Sequence, residues 1–225
     1  MNIQKELDFF RDQKLWVGGY FDGDPLDPHS SSTYDVYGRI SVLHATYLTC
    51  VKPYIKSNTI ALEIGPGRGA WTRCLLPAQE IYALDAYSAE HNKIFEYIGK
   101  HPHVKYFQVK DFSCSMIPND YLTYVFSFGC LCHISFDGIS EYAKNIYSKL
   151  KNNSHCFWMV ADSTKYTKTT RTKMDLYQDT ETLIQGRWFD TYNKLIELLP
   201  KLGYEILDPD VETCLRDPII HFIKI

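Results

Sequence analysis

The chain has 225 residues, a length suited to one domain with a sizeable core. Its apolar content of 45% and charged content of 23% exclude the collagenous, low-complexity and intrinsically disordered classes. A net charge of −3 argues against sequence-independent binding to nucleic acid, which depends on neutralising phosphates, so no nucleic-acid partner is expected.

Residues 2–16 carry Ile3, Leu7, Phe10 and Leu15 at roughly helical spacing, which predicts a first helix. A stretch dense in turn formers follows from Trp16 to Pro28. Its acids Asp22, Asp24 and Asp27 depart from the calcium-loop pattern in the place of Gly23 and in lacking the required glutamate. Turn and cap duties are therefore expected of them, and no metal. From Tyr34 to about Tyr54, Ile40, Leu43, Tyr47 and Leu48 fall on one face of a second predicted helix. The N-terminus carries no apolar signal run and no stretch approaches the length of a membrane span, so no membrane insertion is expected. Seven scattered cysteines, an odd number, read as free thiols in a reducing compartment, which predicts a cytoplasmic protein.

From Ile60 onward strands and helices alternate. Strands are predicted at about 60–64, 81–85, 104–109, 122–128, 156–161, 204–207 and 219–225. Helices are predicted around 89–100, 138–151 and 188–202. Residues 163–187 are polar and show no clear strand signal. This alternation implies an α/β architecture, a doubly wound and mainly parallel sheet with crossover helices and a hairpin-like pair at the end.

The most specific segment is Ala61–Thr72, in which an apolar run ends in Glu63 and breaks into Gly65, Gly67 and Gly69 before a helix. It has no Gly-Lys-Ser/Thr with which to cradle phosphates. Its glycines recur every second residue rather than in the dinucleotide pattern. Glu63 suits a cationic ligand such as the amino group of a methionyl sulfonium. Asp85, ending the next strand, is placed to accept hydrogen bonds from ribose hydroxyls.

Together these residues resemble the first two motifs of the class I S-adenosylmethionine-dependent methyltransferases, and the resemblance covers roughly residues 57–225. It implies a seven-stranded sheet whose seventh strand runs antiparallel between the fifth and sixth. Residues 1–56 would form a helical and loop extension capping the site, and residues 57–225 the methyltransferase domain. The implied cofactor is S-adenosyl-L-methionine, with Glu63, Gly65, Gly67, Gly69 and Asp85 around it. Ala86 would lie against the adenosine, Asp111 and Phe112 would meet the adenine, and Cys130 would contact the cofactor through its backbone. Tyr37 and Arg39 are candidates for the cofactor's carboxylate or the acceptor, or for helix packing.

His133, after the fourth strand, is the leading general base, because its side chain titrates near neutrality. Asp162, ending the fifth strand, is the second catalytic candidate. The segment after strand four lacks the Asp/Asn-Pro-Pro-Tyr pattern of enzymes that methylate nucleic-acid amines. The basic residues Lys165, Lys168, Arg171 and Lys173 read either as a solvated loop or as contacts for an acidic acceptor. The stretch from Gly19 to Pro28 is similar to bacterial sugar methyltransferases. The expected reaction is methyl transfer to a hydroxyl of a small polar acceptor, such as a sugar or glycan unit. An N-methyltransferase acting on an amine and a non-catalytic cofactor-binding protein are the alternatives. The sequence specifies no oligomeric state.

Overall fold

In a computed structural model the chain is described over residues 6–13, 15–33, 36–165, 183–184, 187–188 and 191–225. The first helix, α1, is Glu6–Gln13. Where a continuous helix from Tyr34 was expected, the chain forms a small antiparallel hairpin, Val36–Tyr37 with Ile40–Ser41. Only then does α2 begin, at Val42–Thr46, running on into a π-helical turn at Tyr47–Val51. The correction has a local cause. Gly38 takes a positive φ of 65° in the hairpin turn, and the Ser41 hydroxyl then accepts from the Leu43 N–H and starts the helix.

The seven main strands are β1 (Ile60–Ile64), β2 (Glu80–Asp85), β3 (Val104–Gln108), β4 (Leu122–Ser127), β5 (Leu150–Met159), β6 (Tyr204–Asp208) and β7 (Ile219–Lys224). They form one sheet in the order β6-β7-β5-β4-β1-β2-β3, with β7 antiparallel to both neighbours and the inner strands parallel. This is the expected doubly wound sheet with its antiparallel seventh strand.

The helices between them are α3 (Ala70–Leu75), α4 (Ala89–Asn92), α5 (Ile94–Ile98), α6 (Phe136–Tyr147) and α7 (Thr191–Lys201). The single helix expected at 89–100 is split, because Lys93 adopts a left-handed φ of 53° between α4 and α5. Strand β5 begins six residues before the expected start, at Leu150 rather than 156. Its pairing with β4 shifts register between Leu122 and Tyr124, and Asn153 has a positive φ of 62°. An irregularity in a polar stretch erases the period-two pattern by which strands are recognised. Where 163–187 showed no strand signal and a helix was expected at 188–202, Leu183–Ile184 and Arg187–Trp188 pair as short antiparallel strands, and the helix is Thr191–Lys201.

Side-chain alternation sends the sheet's residues into two apolar layers. Leu62, Leu84, Val125 and Trp158 pack with α6 and α7. Ala61, Ile81, Phe126 and Phe157 pack with α3 and α5 on the other face. The N-terminal segment joins both layers, Leu7 and Phe10 of α1 the first, Val42 and Leu43 of α2 the second. Strand order reverses at β1, which lies between β4 and β2. The carboxyl ends of these strands therefore open a crevice where an α/β sheet binds its ligand.

Candidate active site

A cavity open to solvent occupies this crevice. Its floor is the loop after β1. Gly65 has a φ of 74°, and a Cβ there would fall 2.3 Å from the Cys130 sulfur, so the loop after β4 can press against the loop after β1 only because position 65 has no side chain. Gly67 and Cys130 line the cavity as well.

Asp85, at the end of β2, also lines the cavity and is buried. Its Oδ2 accepts from the Gly67 N–H at 3.2 Å and its Oδ1 from the Tyr87 N–H at 2.9 Å. Burial pushes its pKa up to about 6, against the opposing effect of these backbone bonds. Ala86 lies beside it in the wall. His133, in a short 3-10 turn at Leu131–His133, lines the same cavity, with its ring centroid 5.2 Å from that of Trp16.

Other expected ligands stand elsewhere. Glu63 is buried beneath the loop, where its Oε2 accepts from the Thr72 hydroxyl at 2.6 Å, and it does not line the cavity. Its bond to Thr72 ties the end of β1 to α3, and burial raises its pKa to about 8. Gly69 is the N-cap of α3 and packs against Ile94 and Ile98. Asp111 is exposed, and its carboxylate accepts from the Ser113 N–H at 2.9 Å in a turn. Phe112 is buried edge-on to Tyr142 in the core. Asp162 accepts from the Thr164 N–H at 2.9 Å and is no part of the cavity wall. Arg39 is exposed in the hairpin turn, and the side chain of Tyr37 lies outside what is described.

One side of the cavity is walled by a strap, residues 15–23, of which Trp16, Tyr20, Phe21, Asp22 and Gly23 are lining residues. The strap is bonded to the site's own loops. The Gly18 N–H donates to the His91 carbonyl at 3.0 Å, the Arg68 N–H donates to the Tyr20 carbonyl at 3.1 Å, and Arg68 Nε donates to the Gly18 carbonyl at 2.7 Å. The family resemblance implied a cap from residues 1–56 as a whole, but no sequence signal singled out Leu7, Phe10, Asp22, Leu43 or Tyr142, which also line the cavity. Leu7 and Phe10 read only as the apolar face of a helix.

The three acids that raised the calcium question have separate duties. Asp22 accepts from Ser32 and Thr33, Asp24 pairs with Arg73, and Asp27 accepts from the His29 N–H. Among the described lining residues are the carboxylates Asp22 and Asp85 and no lysine or arginine. A wall of that charge suits a cationic sulfonium nucleoside and opposes a polyphosphate cofactor.

A family model described as a methyltransferase domain matches residues 38–208. The chain belongs to this methyltransferase family. S-adenosylmethionine is its cofactor, and the protein is a methyltransferase enzyme. No curated protein matches the chain. Among solved structures it is similar to an S-adenosylmethionine-dependent methyltransferase from Mesorhizobium loti, at 15% identity and a TM-score of 0.59, over 80% of this chain and 98% of that one. A second, from Clostridium acetobutylicum, matches at 14% identity and a TM-score of 0.57, over 80% and 90%. The magnesium protoporphyrin IX methyltransferase of Synechocystis, solved with bound SAH, matches at 14% identity and a TM-score of 0.54, over 75% of each chain. At these identities the likeness is one of fold. Among the described residues no helix is long and apolar enough to cross a membrane.

Proposed function

We propose that this methyltransferase acts on a hydroxyl oxygen of a small, uncharged acceptor, with His133 as the general base. The observation that carries the reading is the presence of His133 in the same cavity wall as Asp85 and the glycine loop. The cofactor, when bound, supplies a methyl group already activated on a sulfonium. The chain's own part is to hold and align it. Asp85 accepts from ribose hydroxyls, and the Gly65–Gly67 backbone permits close approach. The strap keeps water out, and His133 takes the hydroxyl proton as the oxygen becomes nucleophilic.

A saccharide is the acceptor class we favour. The exposed faces of Trp16 and Tyr20 offer flat apolar surfaces to a sugar ring, and the absence of lysine and arginine from the described lining speaks against a phosphorylated acceptor. Residues 1–56 act in this reading as the cap and 57–225 as the methyltransferase domain. The seven free cysteines, six of them buried, support a reducing, cytoplasmic setting.

The test is His133→Ala assayed with labelled cofactor over a panel of saccharides and amines. We expect kcat on a hydroxyl acceptor to fall about 100-fold or more, with loss of the limb of the pH–rate profile that reports the base. An unchanged rate would sink the base assignment, and transfer to amines alone would establish N-methylation instead.

A further inference from the structure

We infer that Glu6 is a positioning residue for His133, acting through Ser135. This rests on the proposed role of His133. Glu6 is 2% exposed, an unusual place for a carboxylate near the start of a chain. Its Oε1 accepts from the Ser135 N–H at 2.5 Å and its Oε2 from the Ser135 hydroxyl at 2.7 Å. Ser135 is the N-cap of α6 and lies two residues beyond His133. Its hydroxyl also accepts from the Gly138 N–H at 3.3 Å, so Glu6 completes the cap from a distant element.

Gly138 leaves room for this approach. A Cβ there would lie 2.9 Å from Glu6 Oε2 and 2.6 Å from Ile134 Cγ2. A carboxylate held against the first turn of a helix meets unsatisfied N–H groups and the positive end of the helix dipole. The same helix that carries Glu6 also brings Leu7 and Phe10 to the cavity wall. It is fixed at its other end by Arg11 Nη1 donating to the Val109 carbonyl at 2.9 Å, and the Tyr87 hydroxyl donates to the Phe10 carbonyl at 2.7 Å. Phe10 stacks on Trp16 at 6.2 Å, and Trp16 in turn lies against the His133 ring. Glu6 therefore reaches His133 by two routes, through the backbone of Ile134 and Ser135 and through the Phe10–Trp16 rings. With it the α1 lid and the loop carrying the base form one unit.

The experiment compares Glu6→Ala, Glu6→Gln and Glu6→Ala/His133→Ala with the parent, with kcat expressed per SAH-binding site so that unfolded protein does not count. We expect Glu6→Ala to lower kcat about tenfold or more, to move the base limb of the pH–rate profile, and to shift the His133 ring signals in NMR. Glu6→Gln keeps an acceptor for the Ser135 N–H and should restore most of each. Added to His133→Ala, Glu6→Ala should cost nothing further in kcat. Unmoved His133 ring signals and an unchanged profile in Glu6→Ala, whatever its melting temperature, overturn the inference and leave Glu6 a structural cap. A His133→Ala enzyme with parental kcat would instead defeat the base assignment, while the NMR arm still reports whether Glu6 sets the ring.

Discussion

At the scale of single residues, two buried carboxyls set the response to pH. Asp85 has a pKa raised from 3.8 to about 6 by burial, and it is the group that accepts from the cofactor's ribose in our reading. As pH falls through about 6 it gains a proton and becomes a poorer acceptor. SAH affinity should therefore drop on the acid side of that value and level off above it, which a calorimetric titration across pH would show. Asp85→Asn should weaken SAH binding about tenfold and remove that dependence. Glu63 is raised from 4.5 to about 8, also by burial. A raised carboxyl contributes stability that is full below its unfolded pKa and is lost as pH rises through the folded one, here between about 4.5 and 8. Glu63→Gln should thus melt progressively higher than the parent as pH climbs across that window, by about 10 °C at its upper end. A difference that stays flat with pH would refute the ionisation account.

Among the elements, the strap matters most to the site. Gly19 has a φ of 77°, and a Cβ there would lie 2.4 Å from the Asn92 carbonyl and 2.6 Å from the Arg68 N. Gly19→Ala cannot keep the strap seated, so SAH affinity should fall about tenfold or more, with early proteolysis near the N-terminus and a core that still melts cooperatively. The elements also show how much was readable in advance. Strands β1 to β4, β6 and β7 announced themselves, because the strands of this sheet are short apolar-rich runs bounded by turn residues. The hairpin at Val36–Ser41 and the break at Lys93 did not, since both depend on single residues taking a left-handed backbone that spacing cannot reveal. In the cavity wall, Asp85 and His133 were legible by position, Asp85 as the end of β2 and His133 in the loop after β4. Glu63, Asp111 and Asp162 occupy equally suggestive places in the sequence, yet each bonds a neighbour away from the cavity wall.

For the molecule as a whole, the seam between β5 and β7 carries the opposite pH response. His155 Nδ1 and His221 Nε2 lie 2.9 Å apart, with the His221 ring stacked on Phe157 at 4.0 Å. Burial lowers both pKa values, that of His221 from 6.5 to about 4. A depressed histidine contributes stability that is full above its unfolded pKa and is lost as pH falls through the folded one. The fold should therefore weaken between about pH 6.5 and 4. His221→Phe should flatten that acid limb in pH-dependent melts, and an unaltered limb would count against the pair. The glycine loop that marks the family and the alternation of strand and helix were set by sequence alone, because both are local patterns. The place of the antiparallel seventh strand followed only from the family resemblance, and the pairing that fixes the strand order is tertiary. The closure of the site belongs to the tertiary structure. Glu6 meets Ser135 from 129 positions away, and no pattern in a linear chain encodes a contact that only the packing of α1 on α6 creates.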